Sequence, residues 1–373
     1  MKKSVAMLTN GLGAAGAPKV LLNLCKHLPD LGFSVSIMNM GSATELIPEI
    51  EETGANIINI RGQIPATFVD ILRTLSELSP DILHTHMMLA NSLGRIAGVL
   101  MRIPTVSTIH TSYPDRTFAG KLLDYSTSSL PQANIPVSHA VRDSLPLGFG
   151  FSSNQPVIHN CIDLDYVTGL GRCSWGSQAW MDSVCESDPI IANVARFDPK
   201  KCRRDLIDSM KIVVQEYPGA QLLLSGKINE LGRKLQKHVS DEGLDKNVNF
   251  LGFVENPYSL YYHSDVISFS SRSEGFSIGL LEAMAFGKPV VATKIAPFVE
   301  AIGPDHNYVP LGDSRAMGDE IVRLLSDEAH CDSVSKHIEN RLVTHFSGDK
   351  AAKRYAEVYR SLVSGGSSGL NPI

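Results

Sequence analysis

The residues best suited to chemistry sit in one stretch, 264–293, where Glu274 lies in a loop of small residues and Glu282 lies about one turn inside the helix that follows. The apolar run 266–269 reads as a buried strand, and Ser277 reads as the cap of a helix whose first turn exposes the amides of Ile278, Gly279 and Leu280. Gly287, followed by Lys288-Pro289, ends that helix, and 289–292 reads as a second buried strand. A helix start offers unpaired N–H groups and partial positive charge, which suit a phosphate. The two carboxylates can face one cleft, and as pure acceptors they match sugar hydroxyls. Hydroxyls, diphosphate and hydroxyls in a line describe a nucleotide sugar.

The run Glu274-Gly-Phe, then Gly279-Leu-Leu-Glu282-Ala-Met-Ala, then Gly287-Lys-Pro-Val-Val-Ala-Thr resembles the paired-glutamate signature of the family-four retaining glycosyltransferases. The resemblance covers about residues 4–325. It implies an α/β protein of the GT-B fold, two Rossmann-like doubly wound parallel-sheet domains facing across a cleft. It also implies roles for residues elsewhere. Arg196 and Lys201 are similar to the pair that clamps the donor diphosphate, and His110 to the histidine that donates to the donor sugar. Gly16 would let backbone approach the diphosphate, and Gly252 with Phe253 would meet the base. Glu274 would position the donor sugar and Glu282 the ribose. The expected catalytic set is therefore Glu274, His110, Arg196 and Lys201. The donor-binding set is Gly16, Gly252, Phe253, Ser277, Ile278, Gly279, Leu280 and Glu282. No metal and no cofactor are expected, because fixed positive groups take the metal's place. The chain departs from the family pattern at Pro18, Cys161, Ala195 and Cys202 and in the segment 294–297.

Positioning such groups needs repeated strand–helix units. Strands are predicted at 4–8, 34–39, 56–60, 81–85 and 105–109, with helices at 18–28, 66–78 and 89–101. A second series has strands at 190–194, 221–224 and 249–254, and a helix at 349–363. The chain divides into an acceptor-side domain 1–167, a linker or insertion 168–187 and a nucleotide-sugar domain 188–345. A helix 346–363 crosses back to the first domain, and a flexible tail 364–373 follows. Trp175 and Trp180 read as anchors of the linker. Lys200, Arg203 and Arg204 read as a solvated basic helix start. His84 and His86 are too few for zinc, and His86 reads as packing or acceptor-side lining. Asp163-Leu-Asp165 matches a metal motif of another fold but lies at a hinge.

Two other classes are weighed. Gly11-Leu-Gly13-Ala-Ala-Gly16 matches a dinucleotide fingerprint, yet the second strand ends in Asn39 where that reading wants an acid. The same two-domain fold also hosts nucleotide-sugar epimerases and hydrolases, and a non-catalytic nucleotide-sugar binder is a further alternative. At 373 residues two domains are the default. A hydrophobic content of 43%, net charge of −5 and a pI near 6.2 describe an ordinary globular protein with no electrostatic case for nucleic acid. Six scattered cysteines and no leader sequence point to a cytoplasmic enzyme. The expected partners are a nucleotide-sugar donor and a glycan or lipid-linked acceptor, with a UDP-sugar the leading donor. Segment 89–101 reads as a core-packed helix, and peripheral contact at the inner membrane face stays open as the alternative, since the segment is apolar with Arg95 and Arg102 beside it.

Overall fold

The computed structural model describes residues 2–60, 62, 64–150, 156–173 and 176–364. The chain forms two compact units, one from residues 1–162 with 346–373, the other from 163–345.

The first unit holds strands β1 (Lys3–Thr9), β2 (Phe33–Asn39), β3 (Asn56–Asn59), β4 (Ile82–His86), β5 (Thr105–Ile109) and β6 (Ala133–Pro136). All pair in parallel in the order β3-β2-β1-β4-β5-β6, with Leu8 opposite both Met38 and Thr85. The near-continuous apolar runs are those of a sheet covered on both faces. Ile71 and Leu75 of helix Ile64–Leu78, and Ala90, Leu93 and Ala97 of helix Met88–Met101, pack on Ala6, Leu8, Met38 and Leu83. Gly94 allows the second of these helices to lie close, because a Cβ there would stand 2.3 Å from Thr85 Cγ2. That helix belongs to the core. This is the core packing favoured from the sequence over membrane contact, and Arg95 within the helix is buried and pairs with Asp124 at 2.6 Å. Among the described residues no helix is long and apolar enough to cross a membrane. Strand β6 and helix Phe118–Thr127 escaped the sequence pattern, because β6 is four residues long and carries the polar Asn134, which accepts from Arg95 at 2.8 Å. Helix Gly348–Val363 also belongs to this unit, burying Ala352, Tyr355, Ala356 and Tyr359.

The second unit holds β7 (Ile190–Val194), β8 (Gln221–Ser225), β9 (Val248–Gly252), β10 (Val266–Phe269) and β11 (Val290–Ala292), parallel in the order β11-β10-β7-β8-β9. The chain steps outward from β7 to β9, then returns to build β10 on the other side of β7. The topological switch point therefore lies between β7 and β10, where the loops that follow them diverge and open a crevice for ligand. Helix Arg203–Glu216 supplies Leu206, Ile207 and Met210 to the core against Leu222, Leu224 and Val291. Trp180 is an anchor, packed with Ile190, Ala192 and Leu223 while its Nε1 donates to Ser259 Oγ at 3.2 Å. Asp163 caps helix Leu164–Gly171 by accepting from the Tyr166 amide at 3.1 Å, a structural role in place of a metal ligand. Trp175 and the tail beyond Ser364 lie outside the described residues.

Candidate functional site

In the second unit three loops leave the carboxyl edge of the sheet side by side. The loop after β7 carries Arg196 and Lys201, and the loop after β10 carries Glu274. Lys201 Nζ lies 2.5 Å from Glu274 Oε1, and Ser271 Oγ donates to the same oxygen at 2.7 Å. Both side chains of the ion pair keep partial exposure. The two loops are stitched by Arg272 N donating to Lys200 O at 2.8 Å and Ser270 Oγ donating to Lys201 O at 2.7 Å. An ammonium and a carboxylate far apart in sequence thus meet at the switch point. Arg196 stands out from the same loop with 83% of its side chain exposed, 4.0 Å from Asp198, where a mobile guanidinium can close on an anion.

Ser277 caps helix Ile278–Met284 as expected, but its Oγ accepts from Leu280 N at 3.3 Å. That bond occupies the Leu280 amide, so the open donors of this turn are those of Ile278 and Gly279. Glu282 is 4% exposed and accepts from Tyr258 Oη at 3.1 Å. Burial and the adjacent carboxylate push the Tyr258 phenol upward, so it stays a donor. Glu282 is therefore a carboxylate held by the protein's own hydroxyl rather than one standing open in a crevice.

The loop after β8 completes the edge. Gly226 adopts φ +147°, and a Cβ there would lie 2.1 Å from Ala195 O, so only glycine fits against the neighbouring loop. Its amide donates to Gly252 O at 2.7 Å, and Gly252 turns the chain at φ +70°. This presents Phe253, 57% exposed, as a flat apolar surface. Cys202, where the family pattern has glycine or asparagine, adopts φ +46°, the left-handed conformation those residues favour.

One residue of this region contradicts the sequence reading. Arg203 does not join a solvated basic cluster but is 3% exposed, while Arg204 does face solvent. A run of basic residues at a helix start does not reveal which one turns inward.

In the first unit, Gly16 is the first residue of helix Gly16–His27, whose N-cap Ala15 makes no side-chain cap and whose first turn carries no acid. The amides of Gly16 and Ala17 are those available to an anion, since Pro18 has no N–H and Lys19 N donates to Ala15 O at 3.2 Å. His110 follows β5, and its Nε2 lies 3.1 Å from Nδ1 of the buried His86. Burial pulls the His110 imidazole down to about 4 and drives His86 well below its ordinary value. Both are neutral at neutral pH, so His110 serves as a hydrogen-bonding group and not as a cation. His86 was read as packing or acceptor-side lining, and its direct bond to His110 could have been suspected only from the two residues lying at the ends of adjacent strands. Asn39 binds Asn59 Oδ1 at 2.9 Å and accepts from Gly41 N at 3.1 Å. A spent neutral amide stands where a dinucleotide enzyme needs a free acid, which removes that reading.

Comparisons with known proteins give the family and the fold. Residues 183–341 match the model of the glycosyl transferases group 1, and residues 14–166 match that of the Glycosyltransferase Family 4. The N-acetyl-alpha-D-glucosaminyl L-malate synthase of Bacillus anthracis is 25% identical over 301 residues, 78% of this chain and 77% of its own. A phosphatidyl-myo-inositol mannosyltransferase of Mycolicibacterium smegmatis is 27% identical over 331 residues, 84% and 82% of the two chains. Among solved structures, Anabaena HepE in complex with UDP and glucose superposes with a TM-score of 0.83 at 19% identity, covering 96% of this chain and 100% of that one. A glycosyltransferase from Rickettsia africae gives 0.82 at 17% identity, covering 98% and 100%. These likenesses establish the GT-B fold class.

Proposed function

The chain belongs to the group 1 family of glycosyltransferases, and from that premise we propose that it moves a sugar from a nucleoside-diphosphate sugar to a hydroxyl of a glycan or lipid-linked acceptor, retaining the anomeric configuration. The observation that carries the reading is the Lys201–Glu274 pair at the switch point of the second sheet. As the donor departs, the bond from the anomeric carbon to the phosphate oxygen breaks and one to the acceptor oxygen forms on the same face. The acceptor proton passes to the leaving phosphate. Lys201 and Arg196, with the amides of Ile278 and Gly279, neutralise the charge that develops there. Glu274 takes a donor-sugar hydroxyl and His110 donates to another. Phe253 stacks the base beside Gly252.

A UDP-sugar is the donor we favour, supported by the UDP in the Anabaena relative of the same fold. The names of the relatives, an L-malate synthase and a phosphatidyl-myo-inositol mannosyltransferase, support a hydroxyl on a small hydroxy acid or on a lipid headgroup among the acceptors, and we place the work in surface polysaccharide or glycoconjugate assembly. The six free cysteines support a cytoplasmic setting. A lipid-linked acceptor would bring the enzyme to the inner membrane face.

The test is a panel of nucleotide sugars assayed for nucleoside diphosphate release with and without lipid-linked acceptors. Acceptor-dependent release supports transfer. Release of free sugar alone marks a hydrolase, interconversion of the donor marks an epimerase, and binding without turnover marks a non-catalytic binder. Because fixed cations do the neutralising, we expect chelation by EDTA to leave the rate unchanged. A loss restored by a divalent ion would overturn the metal-free mechanism.

A further inference from the structure

Among the described residues the guanidinium groups of Arg95, Arg116 and Arg203 are buried and their circumstances differ, since Arg116, like Arg95, pairs with Asp124. Arg95 faces the carboxylate of Asp124. Arg203 has no carboxylate partner, and its charge is met by neutral oxygens instead. Its Nε donates to Asn193 Oδ1 at 2.7 Å, and its Nη2 donates to Asn193 O at 3.3 Å, Ala195 O at 2.8 Å and Ser225 O at 2.5 Å. The guanidinium lies 4.1 Å over the Phe197 ring, and Nη1 is buried without a partner. The amide of Asn193 extends the set by donating to Ser268 O at 2.7 Å. Burial brings the group down to about 9, which still leaves a cation at neutral pH.

Such a group is expensive. A desolvated cation without an opposite charge costs several kcal/mol on general grounds, and an apolar side chain would fill the space more favourably. What the guanidinium does that an apolar residue does not is fix carbonyls. The oxygens it holds belong to the carboxyl ends of β7 and β8 and, through Asn193, of β10. The loops that leave those ends carry Arg196 and Lys201, then Gly226, then Glu274. One planar fork therefore sets the spacing of three strands at the point where the donor-facing loops depart.

We propose that Arg203 is a positioning residue for these loops, fixing through the carbonyls of Ala195, Ser225 and Ser268 where Arg196, Lys201 and Glu274 stand, and so governing donor affinity. This rests on the donor-binding reading of the same loops. A lysine cannot reproduce it, since a single ammonium does not span the same acceptors as a planar fork.

The experiment compares wild type with Arg203→Met, Arg203→Lys and Asn193→Ser. It uses calorimetric titration with UDP, donor KM and kcat from initial rates, and amide hydrogen exchange of residues 195–201, 226–227 and 270–277. We expect Kd for UDP and donor KM to rise together by about tenfold in both Arg203 variants, as small misplacements of binding groups do. Asn193→Ser should show a smaller rise of the same kind. Exchange should quicken in all three loops. An Arg203→Met protein with a lower Tm but wild-type UDP affinity, KM and loop exchange would reduce Arg203 to packing and overturn the proposal. If that variant does not fold, wild-type affinity and exchange in Arg203→Lys and Asn193→Ser overturn it equally. If wild type itself binds no nucleoside diphosphate, the donor reading falls, and the exchange data alone decide whether Arg203 fixes the loops.

Discussion

The ion pair between Lys201 and Glu274 defines what each substitution should do. Replacing Glu274 with Gln keeps the shape but removes the charge that holds Lys201, so we expect kcat to fall by about a hundredfold. Lys201→Ala removes the diphosphate's cation and should lower kcat/KM by a similar factor. Initial-rate assays with the preferred donor check both, and a Glu274→Gln enzyme of wild-type rate would contradict the assigned role. The buried histidines predict a pH response of stability. His84 is held between Tyr359 Oη at 2.6 Å and Thr108 Oγ1 at 2.7 Å, and burial pulls it to about 3 from an ordinary 6.5. His86 is displaced in the same direction, by burial first and then by the neighbouring His84 and His110. The unfolded chain therefore binds more protons than the native one between those values. The stability is complete above about pH 6.5 and is lost as pH falls toward about 3. Tm followed from pH 7 to 5 should fall, and His84→Gln should flatten the slope.

Single elements show how much of this was legible. Strands β5, β7 and β10 follow directly from short β-branched runs bounded by turn residues, and the loop residues Arg196, Lys201 and Glu274 were recognisable because types and spacings repeat a family pattern. The inward turn of Arg203 was not legible, nor was the bond from Tyr258 to Glu282, because both depend on which side of a helix meets a distant strand. Capping of Leu280 by Ser277 was half legible. The serine announced the cap, but the amide it consumes follows only from geometry. The loop after β8 provides a test at this scale. Gly226→Ala forces a Cβ toward Ala195 O in a conformation that L residues avoid, so we expect a loss of about 1–3 kcal/mol in chemical denaturation together with weaker UDP binding. An alanine variant matching wild type in both would show that the two loops move apart freely.

For the molecule as a whole, the division into two units was foreshadowed by length and by two series of strand–helix alternation. That a distant helix completes the first unit was suggested by family likeness and not by periodicity. Helix Gly348–Val363 buries Tyr355 against Thr108 and Tyr359 against Phe33 and His84, and Gly348 lies so close to Asn23 that a Cβ would come within 2.2 Å of its Oδ1. Ending the chain at residue 345 removes those partners and strands the tyrosine-bound polar atoms in the core. Calorimetry should then show the transition of the first unit lost or moved down by more than 10 °C, on the order of the shift a few kcal/mol produces, with that of 163–345 nearly unchanged. A truncated protein with both transitions intact would refute the dependence.

The same return of the chain dictates an order of events during synthesis. Residues 1–162 emerge from the ribosome first with all six strands of their sheet but lack the helix that covers it until residues 346–363 follow, whereas 163–345 is a unit continuous in sequence. The earlier-made half must therefore wait, kept from aggregation, while the later-made half matures ahead of it. A chain ending at residue 345 and released from the ribosome should resist protease across 163–345 while the leading segment is digested.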